Sequence, residues 1–203
     1  MVNNDSIIYI VDDDHSVLEA LSSLVRSIGL DVICFSSADA FLQQLPQRRH
    51  GCLILDVRMP EMSGLDIQKI LNEKHHKLPI IFISGHGDIP MAVQAVKEGA
   101  IDFLTKPFRE EEILSAIRTA LKIDLIASEQ HHEQDLIRRR YASLSEREKQ
   151  VLPFILKGYL NKQTAIELGI SEATVKVHRH NIMKKMETRS LPEIVRDMGK
   201  IGR

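Results

Sequence analysis

The chain contains no tryptophan, and aromatic residues make up only 4% of its 203 positions. Such a composition fits helical and α/β packing better than an aromatic-rich β sandwich. Cysteine is scarce as well. Cys34 and Cys52 both sit inside strand-like apolar runs, which reads as two reduced, buried core residues. No apolar stretch approaches the ~20 residues of a membrane span. The first apolar run is short and is interrupted at once by acids, so nothing near the N-terminus reads as a signal peptide. A cytoplasmic protein with no membrane partner is the expectation. Glycine and proline are missing between Phe108 and Leu152. Without turn formers, a helix beginning near Arg109 can run on through Ala116, Ala120, Leu121 and Ile126. Its middle, residues 128–135, is polar all round, the pattern of a solvated linker helix.

The net charge of -1 conceals two opposite halves. Residues 1–122 carry 12 Lys and Arg against 17 Asp and Glu, whereas residues 123–203 carry 15 against 11. An acidic first part joined to a basic last part suggests a metal or phosphate switch coupled to a polyanion binder.

The first 120 positions alternate strand-like and helix-like segments. Short, nearly all-apolar runs at 6–11, 31–35, 51–55, 79–84 and 101–104 read as strands covered on both faces. Amphipathic stretches near 15–28, 38–44, 64–73 and 88–98 lie between them. Five β-then-α units imply an α/β fold with a doubly wound, five-stranded parallel sheet. Ligands of such sheets bind beyond the strand C-termini. A second, all-α part opens with Ser145-Glu146-Arg147-Glu148, a capping box before an apolar run. Four helices follow near 146–157, 162–168, 172–186 and 191–199, with Gly158 and Gly169 at stops and Ser171 as an N-cap. Pro153 should kink the first of them. So small a helical domain has few ways to be an enzyme.

The apolar runs end in chemically matched residues. Ile7–Val11 leads into Asp12-Asp13-Asp14, Gly51–Leu55 into Asp56, and Ile101–Leu104 into Thr105-Lys106-Pro107. On neighbouring parallel strands, three carboxylates and one lysine would meet at one edge of the sheet. That cluster can hold a divalent cation and offer Asp56 as a nucleophile toward phosphorus. Asp14 reads as a helix N-cap. Lys106 alone reads as a surface lysine, but at a strand end before Pro107 it can reach a phosphoryl oxygen or pair with Asp56. The Lys106-Pro107 bond is a candidate cis peptide. Ser84 offers a hydroxyl at the same edge, or is a turn residue before Gly85; the two readings stand level. The pairs His75-His76 and His131-His132 read as surface residues, because adjacent helical histidines point in different directions.

At this point residues 1–122 resemble the receiver domain of two-component response regulators. The matching motifs are Val11-Asp12-Asp13-Asp14, Leu55-Asp56-Val57-Arg58-Met59-Pro60 with Ser63-Gly64-Leu65, Ser84-Gly85, and Phe103-Leu104-Thr105-Lys106-Pro107-Phe108. The resemblance implies a flavodoxin-like receiver in which Asp56 accepts phosphate from a sensor histidine kinase. It also implies that Asp12, Asp13, Asp56 and the backbone carbonyl of Arg58 hold Mg2+ (or Mn2+). Lys106 would contact the phosphoryl group, while Ser84 and Phe103 carry the switch. Phenylalanine at 103, where tyrosine is also common, favours a purely steric one.

Residues 144–203 resemble the LuxR-type DNA-binding domain, with a linker at 123–143. The resemblance rests on Leu144–Glu148, Gly158, Asn161-Lys162, Ala165, Leu168–Ser171, Thr174–Arg179 and Asn181–Met186. Met186–Pro192 with Val195-Arg196 points to the branch containing FixJ, StyR and TodT. Val175, Ile182, Met183 and Met186 mark a packed helix face. Lys176, Val177, Arg179 and His180 lie on the remaining surface, open to a major groove. Lys162, Lys184 and Lys185 suit phosphates. The candidate DNA-contacting set is Lys162, Thr174, Lys176, Val177, His178, Arg179, His180 and Lys184. Thr164, where the family has an apolar residue, and Pro153 depart from the pattern.

The expected protein is a phosphorylation-activated transcription factor. It dimerises through the 88–104 surface when phosphorylated, binds promoter DNA, engages RNA polymerase and acts as an activator. It is an enzyme only toward its own phosphotransfer and slow dephosphorylation. Two alternatives are a haloacid dehalogenase-type phosphatase, disfavoured by Arg58 where a second acid is usual, and a DNA binder whose receiver works without phosphate.

Overall fold

The computed structural model describes residues 6–45, 50–85 and 89–202. The chain divides into two compact units, Met1–Ser128 and Glu129–Arg203. In the first, strands β1 (Ile7–Val11), β2 (Asp31–Phe35), β3 (Gly51–Asp56), β4 (Ile80–Ser84) and β5 (Asp102–Thr105) alternate with helices α1 (His15–Ser27), α2 (Ala38–Gln43), α3 (Gly64–Glu73) and α4 (Ile89–Lys97). Helix α5 (Glu110–Ala142) follows and contributes to both units. The sheet order is β2-β1-β3-β4-β5, and every pairing is parallel.

Strands β1, β3 and β4 are buried along their whole length, as runs covered by helices on both faces must be. Alternate side chains feed two cores. Tyr9, Val11, Leu53, Leu55 and Phe82 pack with Phe41, Ile67 and Leu71 of α2 and α3. Ile8, Ile10, Ile54, Ile81 and Ile83 pack with Leu18, Leu21 and Val25 of α1 and Ile113, Ile117 and Ala120 of α5. Each fully buried Val, Leu, Ile or Phe among them contributes roughly 1.5–3 kcal/mol. The edge strand β2 differs: Asp31, Ile33 and Cys34 are exposed. Cys34 is therefore not a core residue as its apolar context predicts, because an edge strand lacks a neighbour on one side. Cys52, in the centre of the sheet, is buried as expected.

Local chemistry sets the helix starts. The Asp14 carboxylate accepts the Ser16 N–H at 2.8 Å, and Ser63 forms a capping box with Asp66 ahead of α3. Helix α5 stays tied to the first unit beyond residue 122. Asp124 accepts the Gly51 N–H at 3.0 Å and lies 3.2 Å from His50 Nδ1, and the Ser128 hydroxyl lies 3.3 Å from His50 Nε2. The expected linker, 123–143, is thus shared between the units.

The second unit comprises the end of α5 with α6 (Glu146–Leu156), α7 (Asn161–Leu168), α8 (Glu172–Lys185) and α9 (Leu191–Ile201). Ile137 of α5 is buried with Leu144, Val151, Leu152, Ile155, Ile182, Met186 and Ile194. Ion pairs of Lys200 with Glu133 and of Arg140 with Glu187 fasten the same helix end. Helix α6 does not end at Pro153, whose carbonyl accepts the Lys157 N–H at 3.1 Å. Thr164 is wholly buried, and its hydroxyl donates to the Leu160 carbonyl at 3.2 Å. That bond lets a threonine occupy an apolar position. Gly169 closes α7 in the left-handed conformation at φ 63°, where glycine has no Cβ penalty. Among the described residues, no helix is long and apolar enough to cross a membrane.

Candidate functional site

Strand register assembles the site in the first unit. Val11 pairs with Leu55, so the next residues, Asp12 and Asp56, emerge side by side at the C-terminal ends of β1 and β3. Ser84 pairs with Thr105, which brings Lys106 to the same edge. The Lys106 ammonium donates to Asp12 Oδ2 at 2.6 Å and to Asp56 Oδ1 at 2.7 Å. The remaining carboxylate oxygens accept backbone N–H groups, Asp56 Oδ2 from Arg58 at 2.6 Å and Asp12 Oδ1 from Asp14 at 2.9 Å. The Lys106-Pro107 bond is cis, as its X-Pro position suggested.

Electrostatics make this cluster unusual. The side chains of Asp12 and Asp56 are 1% and 6% exposed, and that of Lys106 is 23% exposed. Burial pushes the Asp12 carboxyl above the ordinary range, outweighing its bonds to Lys106 and Asp14. Burial also pulls the Lys106 ammonium down, but the two aspartates win and hold it above its ordinary value. Lys106 is therefore a firm cation at neutral pH. One ammonium facing two carboxylates leaves negative charge uncompensated in a poorly solvated place.

The other expected residues divide. Asp13 is exposed, and Asp14 acts as the α1 cap. Of the three expected carboxylates, Asp12 and Asp56 are bonded to the lysine. Among the described residues, no group of three or more His, Cys, Asp and Glu side chains is arranged as a metal centre. Asp12 and Asp56 nonetheless offer adjacent carboxylate oxygens, and Mg2+ usually takes one or two carboxylates plus waters. Ser84 is wholly buried, and its carbonyl accepts the Lys106 N–H at 2.8 Å. Phe103 is half-buried, its ring 6.2 Å from that of Phe82.

Gly64 also belongs to the site, although its sequence context marks it only as part of the Ser63-Gly64-Leu65 motif. A Cβ at this position would sit 2.3 Å from the Asp56 carbonyl oxygen. Its N–H donates to the Val57 carbonyl at 3.0 Å. The first turn of α3 is thereby pressed against the backbone that carries Asp56. A glycine directly after an N-cap serine is the signal that could have revealed this.

In the second unit, Ser171 caps α8 by accepting the Thr174 N–H at 3.0 Å. Val175, Ile182 and Met186 are buried, and Met183 is half-buried. Thr174, Lys176, Val177, His180 and Lys184 are exposed on α8, as Lys162 is on α7, whereas His178 and Arg179 are half-buried. Arg179 does not share the open surface with Lys176 and His180. At roughly 100° per residue it falls about 40° from the centre of the buried stripe, and its Nη1 donates to the Tyr159 carbonyl at 3.0 Å. Lys185 is likewise occupied, donating to Glu148 at 2.7 Å. Burial pushes the Glu148 carboxyl up, but the bonds from Lys185 and Ser145 win and hold it below the usual range.

Comparison with known proteins gives this geometry a context. Residues 8–118 match the response regulator receiver domain, and residues 142–198 match the bacterial regulatory proteins of the luxR family. The response regulator protein TmoT of Ectopseudomonas mendocina is 66% identical over 196 residues, covering 97% of this chain and 89% of that protein. The solved structure of the response regulator StyR is similar at a TM-score of 0.88 and 47% identity, covering 97% of this chain and 99% of that one. Full-length FixJ from B. japonicum gives 0.59 and 40%, covering 97% of each chain.

Proposed function

Because this chain belongs to the response regulators that join a receiver to a LuxR-type DNA-binding domain, we propose that Asp56 is its phosphoacceptor. The observation that carries the reading is the ammonium of Lys106 bonded at once to Asp12 and Asp56. An attacking Asp56 oxygen becomes one of the phosphoryl group's ligands, and Lys106 stands ready to bond an oxygen of the transferred group. The donor would be a phosphohistidine of a sensor histidine kinase. Asp12, Asp56 and the Arg58 carbonyl, with Asp13 acting through water, would hold Mg2+ or Mn2+. The metal would supply positive charge opposite the phosphoryl oxygens. The chain's own residues orient the nucleophile: the Arg58 N–H fixes one oxygen of Asp56, and Gly64 lets α3 brace its carbonyl.

Phosphorylation adds charge and acceptor oxygens at Asp56. Ser84 donates to the new group, and the Phe103 ring turns inward, altering the surface of α4 and β5. That surface carries Ile89, Val93 and Val96, all exposed. Residue 88, the expected start of this helix, lies outside the described residues. The phosphorylated chain dimerises there and places two α8 helices on promoter half-sites about one helical turn apart, or a small multiple of it. The consequence is transcriptional activation through RNA polymerase, in the cytoplasm. The chain turns over no substrate other than its own phosphoryl group.

Incubation of the full chain with acetyl phosphate and Mg2+ tests this reading. The expected result is one added phosphoryl group by intact mass and a shift from monomer to dimer in light scattering. Asp56→Asn should show neither. Dimerisation of that variant to the wild-type extent would overturn the assignment.

A further inference from the structure

We propose that Arg179 and Lys185 are positioning residues that set the rotation of α8, and that neither contacts DNA. The inference rests on the reading of α8 as the DNA-contacting helix. Two observations separate these cations from Lys176, His180 and Lys184. The first is angular. Around the α8 axis, Val175, Ile182 and Met186 define the buried direction. Arg179 lies about 40° from that direction, well inside Lys176 at about 100°, His180 at about 140° and Lys184 at about 180°; Lys185, at about 80°, is set apart mainly by its bond. The second is chemical, because both side chains are already bonded within the domain.

Their partners are fixed points. Arg179 holds the Tyr159 carbonyl, in the turn between α6 and α7. That turn is rigid: the Lys157, Gly158 and Tyr159 N–H groups return to the carbonyls of Pro153, Ile155 and Phe154, and the Phe154 and Tyr159 rings pack 5.5 Å apart. Lys185 holds Glu148, which is 4% exposed and also accepts the Ser145 N–H at 2.7 Å. Its second attachment is thus the N-terminus of α6. The two anchors lie six residues apart, about 9 Å along the axis, and on different sides of the helix. A helix held at two such points can neither roll nor slide. Rolling matters for recognition, because a turn of one residue's worth replaces the side chains presented to a groove.

The experiment compares specific with non-specific binding as salt is varied. A duplex selected by the acetyl phosphate-treated full chain from a randomised pool serves as the specific probe. A scrambled duplex of the same length is the non-specific one. In Arg179→Met, the specific-to-non-specific affinity ratio should fall about tenfold, the size expected for losing one charged hydrogen bond. The dependence of log affinity on log salt should not change. Lys185→Met, which releases the other anchor, should behave alike. Lys184→Met should instead lower both affinities and reduce the salt slope by about one. All measurements are made at a temperature where circular dichroism shows each variant folded.

Three results would overturn the inference. A salt slope reduced by about one in Arg179→Met or Lys185→Met would make that residue a phosphate contact. An unchanged affinity ratio with a lowered melting temperature would make it merely structural. Failure of the wild-type chain to enrich any duplex would remove the reading of α8 itself, an outcome distinct from the other two.

Discussion

Lys106 in the first unit and Lys185 in the second each donate to a buried carboxylate at 2.6–2.7 Å. In both places burial is the largest influence on the acid, pushing its carboxyl up. Around Glu148 the opposing bonds prevail, because one ammonium and the Ser145 backbone face a single carboxylate. Around Asp12 they do not, because Lys106 must be divided between two. A balanced pair is scaffold: its charges are spent on each other. An unbalanced trio still attracts a cation, and that makes it a place for chemistry.

The largest expected effect tests the unbalanced side. Asp56→Asn should abolish phosphoryl uptake from acetyl phosphate while leaving the fold intact, since the amide still accepts the Arg58 N–H. Intact mass gives the first readout and circular dichroism the second. The balanced side predicts the reverse. Glu148→Ala should cost the second unit about 2–3 kcal/mol, through a lost cap and an ammonium left without its carboxylate. The figure lies toward the low end because Lys185 is 38% exposed and recovers water. Faster amide exchange at Ile155 and Ile182 would report the loss, and phosphorylation of Asp56 should proceed at the wild-type rate. A variant that lost phosphorylation instead would end the distinction between scaffold and reactive site.

This contrast also marks what the sequence could disclose. Asp12, Asp56 and Lys106 were legible because each terminates an apolar run, and parallel strands bring their ends together. Asp13 and Asp12 look alike in sequence, yet Asp12 is buried and bonded to Lys106 while Asp13, beyond the end of β1, is exposed. Cys34 misled because a hydrophobic run does not say whether it lies at the centre or the edge of a sheet. The internal partners of Arg179 and Lys185 were hidden for a related reason. Cations on a helix suggest a polyanion, and their partners here, a carbonyl at 159 and a carboxylate at 148, lie 20 and 37 positions away. The extent of the first unit was hidden too. Nothing in the sequence around Asp124 and Ser128 marks where the first unit ends, and their contacts with His50 and Gly51 tie this stretch to it.

A smaller effect probes how the reactive carboxylate is braced. Gly64→Ala would set a methyl 2.3 Å from the Asp56 carbonyl oxygen, so α3 must withdraw. The cost should be about 1–3 kcal/mol in the first unit, as for other overpacked sites. Phosphorylation should slow without being lost, because Asp56 keeps Lys106. Urea unfolding and the rate of acetyl phosphate uptake together check this. A wild-type rate would show that the position of the backbone at Asp56 is not critical.

The smallest effect separates the clusters by pH. The Glu148 carboxyl is held low in the folded state, so its contribution to stability is fully present above the ordinary glutamate value of about 4.3. It is lost as pH falls through the lower folded value. The loss should be less than that in Glu148→Ala, since a protonated carboxyl still accepts the Ser145 N–H and still caps α6. Amide exchange in the second unit, followed from about pH 6 to pH 3, should therefore show a destabilisation that is absent in Glu148→Gln. The glutamine keeps the cap and cannot titrate. The difference between the two chains isolates Glu148 from other acids such as Glu193, whose carboxyl is also held low, by the Arg189 N–H. Parallel curves for the two chains would mean that Lys185 gains nothing from the charge on Glu148. The pair would then be a hydrogen bond in scaffold rather than a balanced ion pair.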